Sequence, residues 1–144
     1  MLYIDTSVLL VYTLTQAVER ARHQHTEKFF AKVGEGSVSA APSFYALHEV
    51  YVFAIDNAPN FQTGAAYGKA ALEKILALPL QILPLVTRAE RAGHAPMSNA
   101  LRDASDMPHA IAAFVYGCDA IVAYDEHFTA IADIIPHTQP QDYV

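Results

Sequence analysis

The sequence predicts an α/β fold, a three-layer α/β/α arrangement with a mainly parallel central sheet, on three observations. Short runs rich in aliphatic and β-branched residues alternate with longer segments of helical periodicity. Acids follow two of the short runs, where parallel α/β sheets gather ligand-binding groups beyond the carboxyl ends of their strands. With 144 residues, 53% of them hydrophobic, the chain has the size and apolar content of one domain around one core. Residues 1–144 are therefore expected to form a single domain.

The first strand is expected at Leu2–Ile4, ending at Asp5 and followed by Thr6 and Ser7. Residues 17–32 are polar with an apolar stripe and read as a helix, 37–40 as the next strand. A helix over 42–56 places Tyr45, Glu49 and Val52 on related turns, and another helix spans 62–76. A strand is expected at 81–83. Residues 91–99 hold Gly93, Pro96, Ser98 and Asn99, the composition of a loop or a broken helix. The pattern over 105–116 predicts a helix with Ser105 as its cap and Pro108 in its first turn, where a missing N–H does little harm. Gly117 ends it. Strands at 120–123 and 134–135 complete the pattern, with no internal repeat, low-complexity tract or linker.

Composition excludes several classes. The longest apolar stretches, such as 111–116 and 120–124, fall far short of the ~20 residues that cross a bilayer. The opening residues read as a core strand and not as a basic segment leading into an apolar one. A cytoplasmic protein with no membrane association is expected. Cys118 is the sole cysteine, so it forms no internal disulfide and no Cys-based zinc site, and it reads as a small buried hydrophobe. The net charge of −6 argues against a general nucleic-acid coat protein, although a cation held by the acids would leave a nuclease open. Basic residues cluster in two segments, Arg20 to Lys32 and Arg88 to Arg102. Both read first as solvated faces, and either could border an RNA groove.

Four acids carry the functional reading. Asp5 and Asp125 stand at strand ends, while Glu49 and Asp106 come from helices and interrupt apolar surroundings. Glu49 lies among Leu47, Val50, Tyr51 and Val52, where a lone carboxylate loses solvation without gaining a partner. Two carboxylates near 4 Å repel by roughly 4 kcal/mol at an effective dielectric near 20, which a hard divalent ion removes. Oxygen donors without Cys or a convergent His set favour Mg²⁺ or Mn²⁺ over zinc. His23 and His25 diverge on a helix, and His48-Glu49 has no second His at zinc-protease spacing.

These residues resemble a known family, the PIN-domain nucleases, and especially the VapC-type toxins of toxin–antitoxin pairs. The similar features are the opening Tyr-Ile-Asp-Thr-Ser-Val-Leu-Leu, the helical Glu49, and the stretch Ser-Asp-Met-Pro-His-Ala-Ile-Ala-Ala-Phe-Val-Tyr-Gly-Cys-Asp-Ala-Ile-Val-Ala-Tyr-Asp-Glu-His-Phe. The resemblance spans nearly the whole chain through short motifs whose order and spacing are more specific than any one of them. It implies a Mg²⁺- or Mn²⁺-dependent endoribonuclease with Asp5, Glu49, Asp106 and Asp125 as catalytic, metal-binding acids. Thr6 or Ser7 would help place the ion or its waters. A homodimer and a small cognate antitoxin are implied as partners, and the preference for RNA comes from the resemblance alone.

One departure is that Ala123 stands where the family commonly has Thr or Ser two positions before the fourth acid, leaving Tyr124 or Ser7 to supply a hydroxyl. Asp103 is either an exposed acid before the helix or a further site group. His109, three positions after Asp106, is either a core or surface histidine or a group that contacts phosphate or a water. Asp119 reads as a turn acid, and Phe44, Tyr45, Tyr51 and Phe53 as core or dimer contacts. Among rivals, a phosphoacceptor domain lacks a late Lys, a haloacid-dehalogenase-like enzyme lacks an acid at Ser7, and dinucleotide binding lacks a Gly-rich turn. A catalytically weak or inactive PIN-like module acting only as a protein-binding partner is the alternative that Ala123 keeps open.

Overall fold

The computed structural model describes residues 1–144, apart from the side chain of Ser98. Its elements run β1 (Leu2–Ile4), α1 (Thr6–Thr13), α2 (Arg20–Gly34), β2 (Ala40–Ala41), α3 (Phe44–Asp56), α4 (Phe61–Leu76), α5 (Arg88–His94), α6 (Met107–Val115), β3 (Ala120–Val122) and β4 (His137–Thr138), with 3-10 turns at Ala95–Ser98, Ala104–Asp106, Glu126–Ile131 and Pro140–Tyr143. All strand pairs are parallel, in the order β2-β1-β3-β4. Among the described residues no helix is long and apolar enough to cross a membrane.

The strands are buried on both faces, and the two-residue side-chain period sorts them into two cores. Leu2, Ile4, Ala40, Ala120, Val122 and Tyr124 point into one core with Val8 and Leu9 of α1, Phe29 and Phe30 of α2, Val50 of α3 and Ile75 of α4. Tyr3, Ala41, Ile121 and Ala123 point the other way, onto Ala110 and Ala113 of α6 and onto Phe128 and Ile131. This is the expected three-layer α/β/α arrangement.

Several boundaries move for identifiable reasons. Helix α1 is apolar nearly all round and carries little helical periodicity to read. The 81–83 segment forms only an isolated parallel bridge between Ser43 and Leu83 outside β2, because Pro42 has no N–H to donate and Pro84 none to continue the ladder. Residues 134–135 are no strand: both amides still bond to the Ile131 carbonyl. Only after Pro136, whose carbonyl accepts from Ile121, does β4 begin. The helix expected over 105–116 begins as a 3-10 turn capped by Asp103, which accepts from the Ser105 amide, and continues as α6 from Met107, so Ser105 caps neither. Gly117 ends it as expected, at φ 67°. Residues 91–99 are the broken-helix alternative, with α5 opened by a Thr87–Glu90 capping box and continued by a 3-10 turn at Pro96.

Helices α3 and α4 form a tight hairpin. A Cβ at Gly64 would lie 2.7 Å from the Ile55 Cα, a backbone atom that cannot yield without moving the helix. Gly64→Ala is therefore expected to destabilise the chain by ~1–3 kcal/mol in urea unfolding. Gly34→Ala, with nothing within 4 Å, should be close to neutral; equal midpoints for the two variants would refute the contact.

Candidate active site

The sheet order places β1 beside β3 at its centre, while the chain winds to β2 on one side and to β4 on the other. Parallel sheets bind ligands outside the carboxyl ends of their strands at such a reversal. Asp5 leaves β1 there as the N-cap of α1, its Oδ2 accepting from the Ser7 amide at 3.0 Å and the Ser7 hydroxyl at 2.6 Å. Ser7 Oγ also accepts from the Tyr124 amide at 3.0 Å, tying the end of β3 to the end of β1. Asp125 caps the 3-10 turn after β3 and accepts from the His127 amide. Asp106 sits at the entry to α6 and is buried.

Two histidines join these acids. His109, 2% exposed, brings Nε2 to 2.5 Å from Glu49 Oε1 and 3.6 Å from Asp5 Oδ1. Its Nδ1 lies 2.7 Å from the Tyr3 hydroxyl, which is 2.7 Å from Ser43 Oγ. Thr6 donates to the same Glu49 oxygen at 2.7 Å. On the other flank, His127 Nδ1 lies 3.1 Å from Asp106 Oδ2 and 3.2 Å from Asp125 Oδ1. Ligand atoms of Asp103, Asp106 and His127 fall within 4.8 Å of one another. Asp5, Glu49, Asp106 and Asp125 thus converge, with Thr6, Ser7, His109 and Asp103 beside them.

Several expectations change. Glu49 is not a lone carboxylate, because Thr6 and His109 hydrogen-bond to it. Two imidazoles lie among the acids without converging: His109 contacts Glu49 and Asp5, and His127, which sequence reasoning missed, bridges Asp106 and Asp125. The signal for His127 was its place two residues after the strand-end acid. Tyr124 cannot replace the hydroxyl absent at Ala123: it shares the strand parity of Val122, and its own hydroxyl turns to Thr26 Oγ1 and the Arg22 carbonyl. Ser7 is the hydroxyl at this strand end. Asp119 lies at the opposite end of the sheet, paired with the amino group of Met1. Tyr45 packs its ring on His109 at 5.0 Å, whereas Phe44 is exposed.

Searched by sequence, the chain matches no protein-family model and no curated protein. Solved structures do match. VapC20 of Mycobacterium tuberculosis, described as a sarcin–ricin loop cleaving toxin, aligns over 90% of this chain and 94% of its own, with a TM-score of 0.66 and 17% identity. The chain has the VapC fold. VapBC2 of Rickettsia felis, solved on a DNA fragment from its promoter, aligns over 96% of this chain and 98% of its own, with a TM-score of 0.65 and 13% identity.

Within this VapC fold the acids are electrostatically unequal. Burial and the neighbouring Asp125 charge push the Asp106 carboxyl up to about 6, with Asp5 and Asp103 adding to the effect against the His127 hydrogen bond. Burial also raises Glu49, but the bonds from His109, Thr6 and Tyr45 outweigh it and its pKa is lowered. Burial lowers His109, yet its bond to Glu49 and the surrounding carboxylates leave its pKa raised. Both shifts favour an imidazolium–carboxylate pair. The hydrogen bonds engage Oδ2 of Asp5, Oδ2 of Asp106 and Oδ1 of Asp125. Among the described residues the second oxygen of each has no hydrogen-bond donor. The Asp106 carboxyl, its pKa raised and its ligand atom within 4.8 Å of those of Asp103 and His127, fits a place beside a divalent cation.

The sign of the Asp106 shift sets a stability profile. A folded pKa above the unfolded 3.8 means that the native state holds this proton more tightly. The resulting stabilisation is complete below pH 3.8 and lost as pH rises to about 6. In cation-free buffer, Asp106→Asn is expected to melt above the native chain at pH 8 and to lose that advantage by pH 4. A variant no more stable than the native chain at pH 8 would contradict the assignment.

Proposed function

We propose that the chain is a divalent-cation-dependent endoribonuclease, the toxin of a type II toxin–antitoxin pair, acting as one domain in the cytoplasm. The observation that carries this reading is the convergence of Asp5, Glu49, Asp106 and Asp125 at the central reversal of a VapC fold. The description of VapC20 as a sarcin–ricin loop cleaving toxin supports the substrate class. The solution of VapBC2 on promoter DNA supports a pair with a small DNA-binding antitoxin.

In this reading Asp5, Asp106 and Asp125 would hold Mg²⁺ or Mn²⁺, with Glu49 beside them. Once bound, such an ion polarises a phosphodiester and lowers the pKa of an attacking water. The protein's own groups keep the donors in place. Ser7 locks one oxygen of Asp5, while Thr6 and His109 orient Glu49 and hold it ionised. His109, protonated, donates from Nε2 to Glu49 and from Nδ1 to Tyr3, and Tyr3 in turn donates to Ser43. Asp106, its carboxyl raised to about 6 by burial and the Asp125 charge, would be ionised with a cation in place. His127 spans Asp106 and Asp125 and faces solvent on its other side, where it can meet a phosphate oxygen.

The inactive-module alternative draws on the His109–Glu49 pair, in which an imidazolium already neutralises one acid. Exposed Phe44, Phe61 and Tyr67 on α3 and α4 suit burial against protein, and we assign them to homodimer or antitoxin contact. Asp5→Asn, with its cap geometry retained, is expected to lower Mg²⁺- or Mn²⁺-dependent RNA cleavage by at least about 10²-fold, with an unchanged circular dichroism spectrum. Equal cleavage by the variant would sink the nuclease reading. Sedimentation of the chain alone is expected to give twice the monomer mass; a monomer at micromolar concentration would remove the homodimer.

A further inference from the structure

Beside the acids lies a cavity of about 190 Å³ lined by Tyr45, Leu85, Val86, Arg91, Pro108 and Ala112. It shares Tyr45 with the site: the ring packs on His109 at 5.0 Å, and the hydroxyl faces Glu49. Pro108 and His109 are consecutive on α6, so the hollow opens one residue from the buried imidazole. Its walls are mostly apolar, with one aromatic ring and one guanidinium and no carboxylate among the lining residues. Across the acids is a second hollow of about 260 Å³, lined by Ala100, Arg102, Glu126, His127 and Ala130. Each of these two hollows carries one arginine of the 88–102 basic segment, while Asp125 lines a third hollow and Glu49 a fourth, which shares Tyr45 with the first.

We propose that the Tyr45–Arg91 cavity is a subsite for one unpaired pyrimidine base next to the scissile phosphate, with the RNA backbone leaving past Arg102. This rests on the nuclease reading and names the feature that would give it sequence preference. Size favours a single ring: an apolar cavity of about 150 Å³ holds benzene, whereas pockets for larger ligands run from about 300 Å³. Chemistry favours a base over an aliphatic side chain. A half-buried tyrosine supplies a stacking face, and Arg91 supplies donors for a pyrimidine carbonyl. Position favours RNA as well, because Tyr45 lines both this cavity and the adjoining hollow that holds Glu49.

The test compares the native chain with Val86→Phe, which fills the cavity from its loop side, and Arg91→Ala, which removes the donor without adding bulk. Each is given a randomised single-stranded RNA pool, and the cut sites are sequenced. The native chain is expected to favour a pyrimidine at one position beside the cut by about tenfold, the scale of one base–aromatic stack. Val86→Phe should erase that preference while cleavage at the remaining sites persists. Arg91→Ala should weaken the preference without the risk of overpacking, and thermal melting checks that both variants fold. No positional preference in the native chain, or one unchanged in both variants, would overturn the subsite. So would unchanged preference together with lost capture of a protein partner, which would make the cavity a peptide site.

A binding measurement separates this from failure of the nuclease reading. The Val86 methyl resonances of the full chain are followed as oligouridylate or an abasic ribose-phosphate strand is added. Shifts with oligouridylate alone uphold the subsite even if no RNA is cut. Shifts with neither or equally with both reject it even if RNA is cut.

Discussion

The mutual repulsion of carboxylates gathered at one end of a parallel sheet is the constraint around which this structure is arranged. Asp5, Glu49, Asp106 and Asp125 come from four separate parts of the chain and meet where β1 and β3 lie side by side. Charges this close cost folding free energy unless something compensates them. Ser7 and Thr6 satisfy one oxygen each, and His109 sets an imidazole with a raised pKa against Glu49. Compensation is incomplete at Asp106, whose carboxyl remains raised to about 6. That residual imbalance is what a divalent ion would relieve.

His109 shows how far the arrangement extends into the core. The imidazole is buried on the α6 side of the sheet, where it could not ionise without partners. Tyr3, pointing to that side by strand parity, shares hydrogen bonds with His109 Nδ1 and with Ser43, the N-cap of α3. Since Glu49 sits on α3, one connected path fixes β1, α3 and α6 relative to one another. The same path orients the carboxylate that Nε2 meets. Fold stability and site geometry thus depend on the same side chains, and the tilt of Tyr45 against His109 carries that order out to the neighbouring cavity.

Much of the site was legible because it obeys local rules. Asp5 and Asp125 follow strands, Glu49 and Asp106 break apolar surroundings, and His109 lies three residues after Asp106 on one helical face. The missing parts depend on contacts between distant segments. Glu49 could be recognised as an acid in need of a partner, yet nothing in its neighbourhood names a histidine sixty residues later. Tyr124 is adjacent to Asp125 in sequence, but strand alternation turns its hydroxyl to α2. His127 carried no periodic signal because it lies in a 3-10 turn. The misplaced last strand has a similar origin: Ile134 and Ile135 look like a strand by composition, whereas their amides are engaged by the turn before Pro136.

By itself the sequence determined the three-layer parallel architecture and the identity of the four acids, since hydrophobic period and strand-end position are properties of neighbouring residues. The tertiary structure decided the pairing of Glu49 with His109, the bridge of His127 between Asp106 and Asp125, the choice of Ser7 over Tyr124 as the hydroxyl, and the cavity between Tyr45 and Arg91. These depend on which side of the sheet each segment reaches and on the distance left between side chains, quantities that come into existence only when α3, α6 and the strand ends pack together.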